Sequence, residues 1–169
     1  MKYMQTGKFY GQPLMRLTLI CTVLFLLGFW VTTFLMFFSK MDLTPASVAA
    51  YYNGSEADFT PPRTYGSMLE VTHTHLPVMA LVALLLTHLF IFTKLSKEIK
   101  ISAIIVFFAS AFLGEMSSWL VRFVHPGFAW LKIAAFIALQ VSMLFVIYAL
   151  LKLLFSGRKI EAKAPAEKT

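Results

Sequence analysis

The chain has 169 residues, of which 59% are hydrophobic and only 14% charged, with seventeen Phe and nine Met. A soluble domain is roughly 45–50% apolar, so the excess must face lipid and an independent water-soluble fold is excluded. The formal net charge of +7 flanks apolar runs instead of forming a basic patch interleaved with aromatics, which excludes nucleic acid as a partner, and the single cysteine, Cys21, excludes a disulfide framework or a Cys-Cys relay within one chain.

Runs long enough to cross a bilayer, at about 20 residues each, lie at 14–38, 69–93, 101–124 and 128–155. They predict an all-α membrane protein, a four-transmembrane-helix bundle formed by residues 1–155. The first run follows Lys2, Lys8 and Arg16, as a signal peptide would, but it far exceeds the usual ~7–15 apolar residues and reads as a retained anchor. After it, Thr44-Pro45 supplies an N-cap with proline at the first helical position, and Gly54 supplies a stop. A short helix over 45–53 follows, with Val48, Tyr51 and Tyr52 expected to rest on the membrane interface. Phe59-Thr60-Pro61-Pro62-Arg63 is expected to be extended, as Pro-Pro requires. Asn53-Gly54-Ser55 fits a glycosylation acceptor pattern but reads more simply as a turn. Beyond the fourth run, residues 156–169 are rich in Lys, Ala, Glu and Pro and are predicted to be a disordered tail.

Basic loops resist translocation. Lys2, Lys8 and Arg16 precede the first span, Lys94, Lys97 and Lys100 separate the second from the third, and Lys152, Arg158, Lys159, Lys163 and Lys168 close the chain. Both termini are therefore expected in the cytoplasm. The connection with the short helix, where Lys40 and Arg63 are outweighed by Asp42, Glu56, Asp58 and Glu70, is expected outside.

Ionisable groups within spans are costly, by about 2.5–3.5 kcal/mol on insertion scales, and mark candidate sites. Glu70, His73 and His75 in the second span, Glu115 and Arg122 in the third, and Lys132 in the fourth all fall toward the outer side, with His125 capping the layer. At about 100° per residue, Glu70, His73, Thr74, Pro77, Leu81 and His88 share a face, with His75 turned away. Glu115, Ser118, Trp119 and Arg122 share another, and Lys132, Leu139 and Met143 a third. The three stripes are expected to meet inside the bundle.

Two imidazoles from different helices can hold a haem b. His73 and His125 match best in depth, with Arg122 and Lys132 as propionate partners and Trp119 as a wall. His88 is the candidate for a deeper haem. Glu70, His73 and His75 form a competing set for copper or zinc, although rings in His-x-His point about 200° apart on a helix. Glu70 and Glu115 are candidates for a proton path or an ion pair, and a quinone site could use that path.

The run Leu69-Glu70-Val71-Thr72-His73-Thr74-His75-Leu76-Pro77, with Thr87-His88-Leu89 after it, resembles small bacterial four-helix inner-membrane proteins over most of residues 14–154. That resemblance implies the same architecture, a place in the bacterial inner membrane and no assigned activity. A looser similarity to membrane b-type cytochrome subunits rests on the histidines of the second span and a basic outer rim. His75 and His88 are 13 residues apart and His73 and His88 are 15 apart, and both spacings miss the one usual for paired haem ligands on one helix. Three readings stay open. The chain is a membrane electron-transfer subunit that binds or completes a haem b site near the outer face, linked to quinone and to a membrane or periplasmic redox partner. Or it handles or transports copper or zinc. Or it is an accessory subunit of a larger membrane complex without a cofactor. No nucleophile, phosphate-loop or zinc-hydrolase motif appears, which argues against independent hydrolysis.

Overall fold

Capping side chains, more than the edges of the apolar runs, set where the helices begin. The computed structural model describes residues 13–161, which form five α-helices and one short 3₁₀ turn. Helix α1 spans Pro13–Phe38, α2 Pro45–Asn53, α3 Tyr65–Phe90, α4 Lys97–Phe123 and α5 Ala129–Glu161, with the 3₁₀ turn at Pro126–Phe128 leading into α5. The Thr64 side chain accepts a hydrogen bond from Ser67 N at 3.2 Å, and Ser96 accepts from Ile99 N at 3.4 Å. Each satisfies one of the N–H groups orphaned at a helix start, so α3 and α4 begin four residues before their apolar runs. Helix α5 continues through Glu161, so residues 156–161 are helical and not a disordered tail. The remainder of that expected tail, and the residues before Pro13, lie outside the described residues.

Four helices, α1, α3, α4 and α5, are long and apolar enough to cross a membrane, and no strand occurs among the described residues. The chain is a multi-pass membrane helical bundle in contact with lipid. Most of the membrane segment of α5 is buried, whereas α1, α3 and α4 each bury a narrow edge and leave the rest to lipid. Helix α5 is thus the hub. Its closest neighbour is α4, which turns the buried serines Ser110, Ser117 and Ser118 inward. Small residues let membrane helices approach closely, and each serine hydroxyl bonds back to a carbonyl of its own helix.

Helix α2 begins and ends as its capping residues dictate. Thr44 Oγ1 accepts from Ser47 N at 3.3 Å, and Gly54 closes the helix at φ 83°. A Cβ at Gly54 would sit 2.6 Å from Thr60 O, so only glycine fits. Two of its side chains expected at the membrane interface, Val48 and Tyr52, turn into the bundle instead. Val48 and Tyr52 are buried with Val121, Ala129, Ile133 and Phe136 of α4 and α5, which makes α2 a cap over one end of the bundle. Apolar packing wins here because α4 and α5 offer α2 a closed apolar seat. Beneath the cap Phe37 of α1 stacks on Phe136 of α5, with ring centroids 3.8 Å apart.

Candidate ligand cavity

A cavity of about 430 Å³ lies below α2, lined by α1, α3, α4 and α5. It reaches along α3 from Ser67 to Met79, about 18 Å at 1.5 Å per residue. Its far walls are apolar: Phe29, Met79, Ala111 and Leu139. The polar groups sit nearer the cap.

The central polar group is Lys132. Its Nζ donates to Gly114 O at 2.7 Å and to Ser118 Oγ at 2.9 Å. Among the described residues no carboxylate lies within ion-pairing distance of it. An ammonium has three protons, so two go to neutral acceptors and one is left for the cavity. Ser118 Oγ also lies 2.9 Å from the Tyr52 hydroxyl and itself donates to Gly114 O at 3.2 Å, so the tyrosine is the donor in that pair. Burial pushes the Tyr52 phenol up from 10.0 to about 12, with the Ser118 bond opposing. Tyr52 is therefore a neutral donor at any physiological pH.

On the other helices of the cavity, His75 Nδ1 lies 2.9 Å from Glu115 Oε1, joining α3 to α4. The imidazole side chain is 53% exposed and the carboxylate 15%. With Nδ1–H donated to the carboxylate, Nε2 keeps its lone pair and is able to take a proton. Near the cap, Lys40, Arg63 and Glu70 complete the lining, and the Arg63 guanidinium lies over the Tyr51 ring, 4.4 Å from its centroid.

Of the residues singled out from sequence, Glu70, His75, Glu115 and Lys132 line the cavity. His73 does not: it is exposed on the opposite side of α3 from His75, so the two imidazoles have the reverse of their expected orientation. His88 is exposed beside Phe92, two residues from the end of α3, and so lies about 3 Å from the helix terminus and not deep in the bundle. His125 is exposed and structural, since its Nδ1 accepts from Gly127 N at 2.9 Å and caps the 3₁₀ turn. Arg122 and Trp119 act as straps. Arg122 Nε donates to Arg63 O at 2.7 Å, and Trp119 Nε1 donates to Thr72 Oγ1 at 2.9 Å.

The arrangement also bears on the cofactors. The cavity presents one imidazole, His75, and neither His73 nor His125 lines it, so the pair matched by depth for a haem is not part of this cavity. Glu70 and His75 share the cavity but His73 faces away, and no group of three His, Cys, Asp or Glu side chains able to hold a metal occurs among the described residues. Sequence reasoning passed over Tyr52, Gly114, Thr72 and Arg63. Of these, Tyr52 carried a usable signal: it follows Val48 by four residues and so shares the inward face of α2.

A family described as a transmembrane helical domain matches residues 42–161. The chain belongs to that family. In the transmembrane helical domain the matched residues take in α2 through α5, and therefore the cap, the His75–Glu115 pair and Lys132. No curated protein and no solved structure matches the chain.

Proposed function

We propose that the chain is the quinone-linked form of a membrane electron-transfer subunit, with the quinone or quinol head group held in the cavity below α2. What carries this reading is Lys132, an ammonium inside a membrane span with only neutral acceptors, sharing an apolar-walled cavity with the His75–Glu115 pair. Glu115 supplies a counter-charge across the cavity but lies beyond contact distance, so the ammonium keeps a proton for a ligand with a strong acceptor oxygen or a developing negative charge. A quinone carbonyl is such an acceptor, and a quinol develops that charge as it loses a proton. The volume falls within the ~300–1,000 Å³ of ordinary small-molecule sites.

The chemistry follows from the side chains. A quinol hydroxyl gives its proton to His75 Nε2, and Glu115 holds the tautomer and stabilises the imidazolium that forms. Lys132 donates to the oxygen on which charge develops. Overall, quinol and two oxidised one-electron carriers become quinone, two protons and two reduced carriers. The carriers belong to a partner protein at the α2 end. Eleven of the fifteen Lys and Arg residues lie before or in the first turn of α1, in the α3–α4 connection and the first turn of α4, or from Lys152 onward, which supports both termini in the cytoplasm and α2 outside. With the resemblance to bacterial proteins, this distribution supports a place in the bacterial inner membrane with the cavity on the periplasmic side.

The test is quinone binding by the protein in lipid nanodiscs, followed by extraction and by titration with a tailless and a long-chain quinone. Lys132→Met and His75→Ala are expected to weaken binding about tenfold each, the effect of losing one charge-assisted hydrogen bond of roughly 1.5 kcal/mol. Absence of quinone from the extract together with no saturable binding would rule the proposal out. Optical spectra of the same sample, oxidised and then reduced, decide whether a haem accompanies the quinone. Metal content and co-purifying subunits decide the metal-handling and accessory readings.

A further inference from the structure

Helix α1 packs on α5, and α3 packs on α4 and α5, yet α1 and α3 hardly touch each other. At the end of the bundle away from α2, Arg16 and Leu19 of α1 share a crevice of about 30 Å³ with Leu89 of α3, Phe92 just beyond that helix, and Leu153 and Leu154 of α5. Toward α2 the larger cavity takes part of its lining from each of the two helices. One lip of the opening carries Thr32 and Met36, the other Val71, His75 and Val78; all five are exposed and all five line the cavity. Such a slit between two membrane-spanning helices faces the acyl chains of the bilayer.

We propose that the ligand enters sideways from the bilayer through the slit between α1 and α3 and stays threaded through it, head group under α2 and hydrocarbon tail among the lipids. The lips are suited to this. Thr32 and Thr33 turn their hydroxyls back onto Phe29 O, which leaves an apolar margin, and Met36 and Val78 present flexible or smooth side chains to a sliding tail. The roof points the same way. Tyr52 is bonded to Ser118, Asn53 Nδ2 donates to Val121 O at 3.3 Å, and Arg63 N donates to Tyr52 O at 2.9 Å, so α2 is fastened down across the bundle end. The ligand class is therefore a long-tailed amphiphile of the membrane with an acceptor oxygen at its head. This inference deepens the quinone reading and rests on it for the head group, but the lateral slit is testable without any quinone.

The experiment places a small thiol-reactive fluorophore in the cavity at Ala111→Cys, on a Cys21→Ser background, in nanodiscs. Phospholipids brominated along the acyl chain are expected to quench it, and aqueous iodide to have little effect. Thr32→Trp combined with Val78→Trp, which fills the slit, is expected to relieve the lipid quenching and to lower affinity for long-chain quinone while sparing the tailless one. Quenching by iodide alone, with no effect of the brominated lipid, would overturn the proposal even if quinone binds. Lipid quenching without quinone binding would uphold the slit and refute the quinone head group. Because the unblocked protein already gives the decisive reading, failure of the double variant to fold does not remove the test.

Discussion

Lys132 Nζ lies 2.7 Å from the carbonyl oxygen of Gly114, a residue around which a Cβ would meet nothing within 4 Å. The helix that anchors the ammonium thus leaves open space beside it. Gly114→Ala is expected to stabilise the protein by about 0.5–1 kcal/mol, because glycine inside a helix loses more backbone entropy than alanine. Gly114→Leu is expected to fold and yet to lose ligand binding, since its side chain would fill the cavity. Thermal unfolding and quinone titration on both variants check this. Loss of stability in Gly114→Ala would show that the space is not free.

Removing the carboxylate from the His75–Glu115 pair separates tautomer control from packing. Glu115→Gln keeps size and a hydrogen-bond acceptor for His75 Nδ1, but it removes the charge that stabilises an imidazolium. Oxidised quinone should bind to it nearly as well as to the wild type, while the rate of quinol oxidation falls by about 10²–10⁴, the usual worth of positioned acid–base catalysis. Equal losses in binding and rate would mean that the pair is structural.

The bond from Tyr52 to Ser118 ties the cap to α4 inside a buried seat. Tyr52→Phe should destabilise the protein by about 1 kcal/mol, the net worth of one hydrogen bond, and a cycle with Ser118→Ala isolates the pair. The pH dependence has a definite sign. The phenol is pushed up from 10.0 to about 12, so its contribution is complete below pH 10 and is lost as pH rises from 10 through about 12. The stability difference between wild type and Tyr52→Phe should therefore shrink over that window and stay constant below it.

Both polar atoms of the Gln140 side chain are buried without a hydrogen-bond partner among the described residues, although its backbone oxygen accepts from Trp30 Nε1 at 3.1 Å. Burying unsatisfied polar atoms costs about 1–3 kcal/mol. Gln140→Met, which keeps the length and drops the polar atoms, is expected to raise the thermal midpoint in detergent. A lower midpoint would show that the amide has a partner in the membrane.

The architecture was legible because bilayer thickness dictates run length, and four runs of the required length exist. Helix α2 was legible to the residue, since Thr44, Pro45 and Gly54 punctuate it. The inward face of α3 was misread. Polar residues were used to find it, and that choice brought in His73 and His88, which lie on the lipid side or near the helix end. The reliable signal was the seam Met68, Thr72, His75, Met79, Ala83, Leu86 and Phe90, which recurs every three or four residues and carries the face turned toward α4 and α5. In a membrane, lipid tolerates any apolar face, so small and adaptable residues at that spacing mark the packed side better than polarity does. For α4 and α5, whose polar residues fall on the packed side, the expected stripes did place Glu115, Ser118 and Lys132 at the cavity. The cap could not be foreseen, because its seat is assembled from two helices more than sixty residues further along the chain, as the separation of Tyr52 and Ser118 illustrates.

Because α5 is the hub and is synthesised after α1, α3 and α4, α1 and α3 reach the bilayer before the surface that holds them exists. They are left as separate rods in lipid, each with its backbone hydrogen bonds complete, until α5 inserts and gathers them. A ribosome stalled short of Ala129 would thus hold a chain that is fully inserted but unassembled, and quality-control proteases would have their best opportunity in that interval.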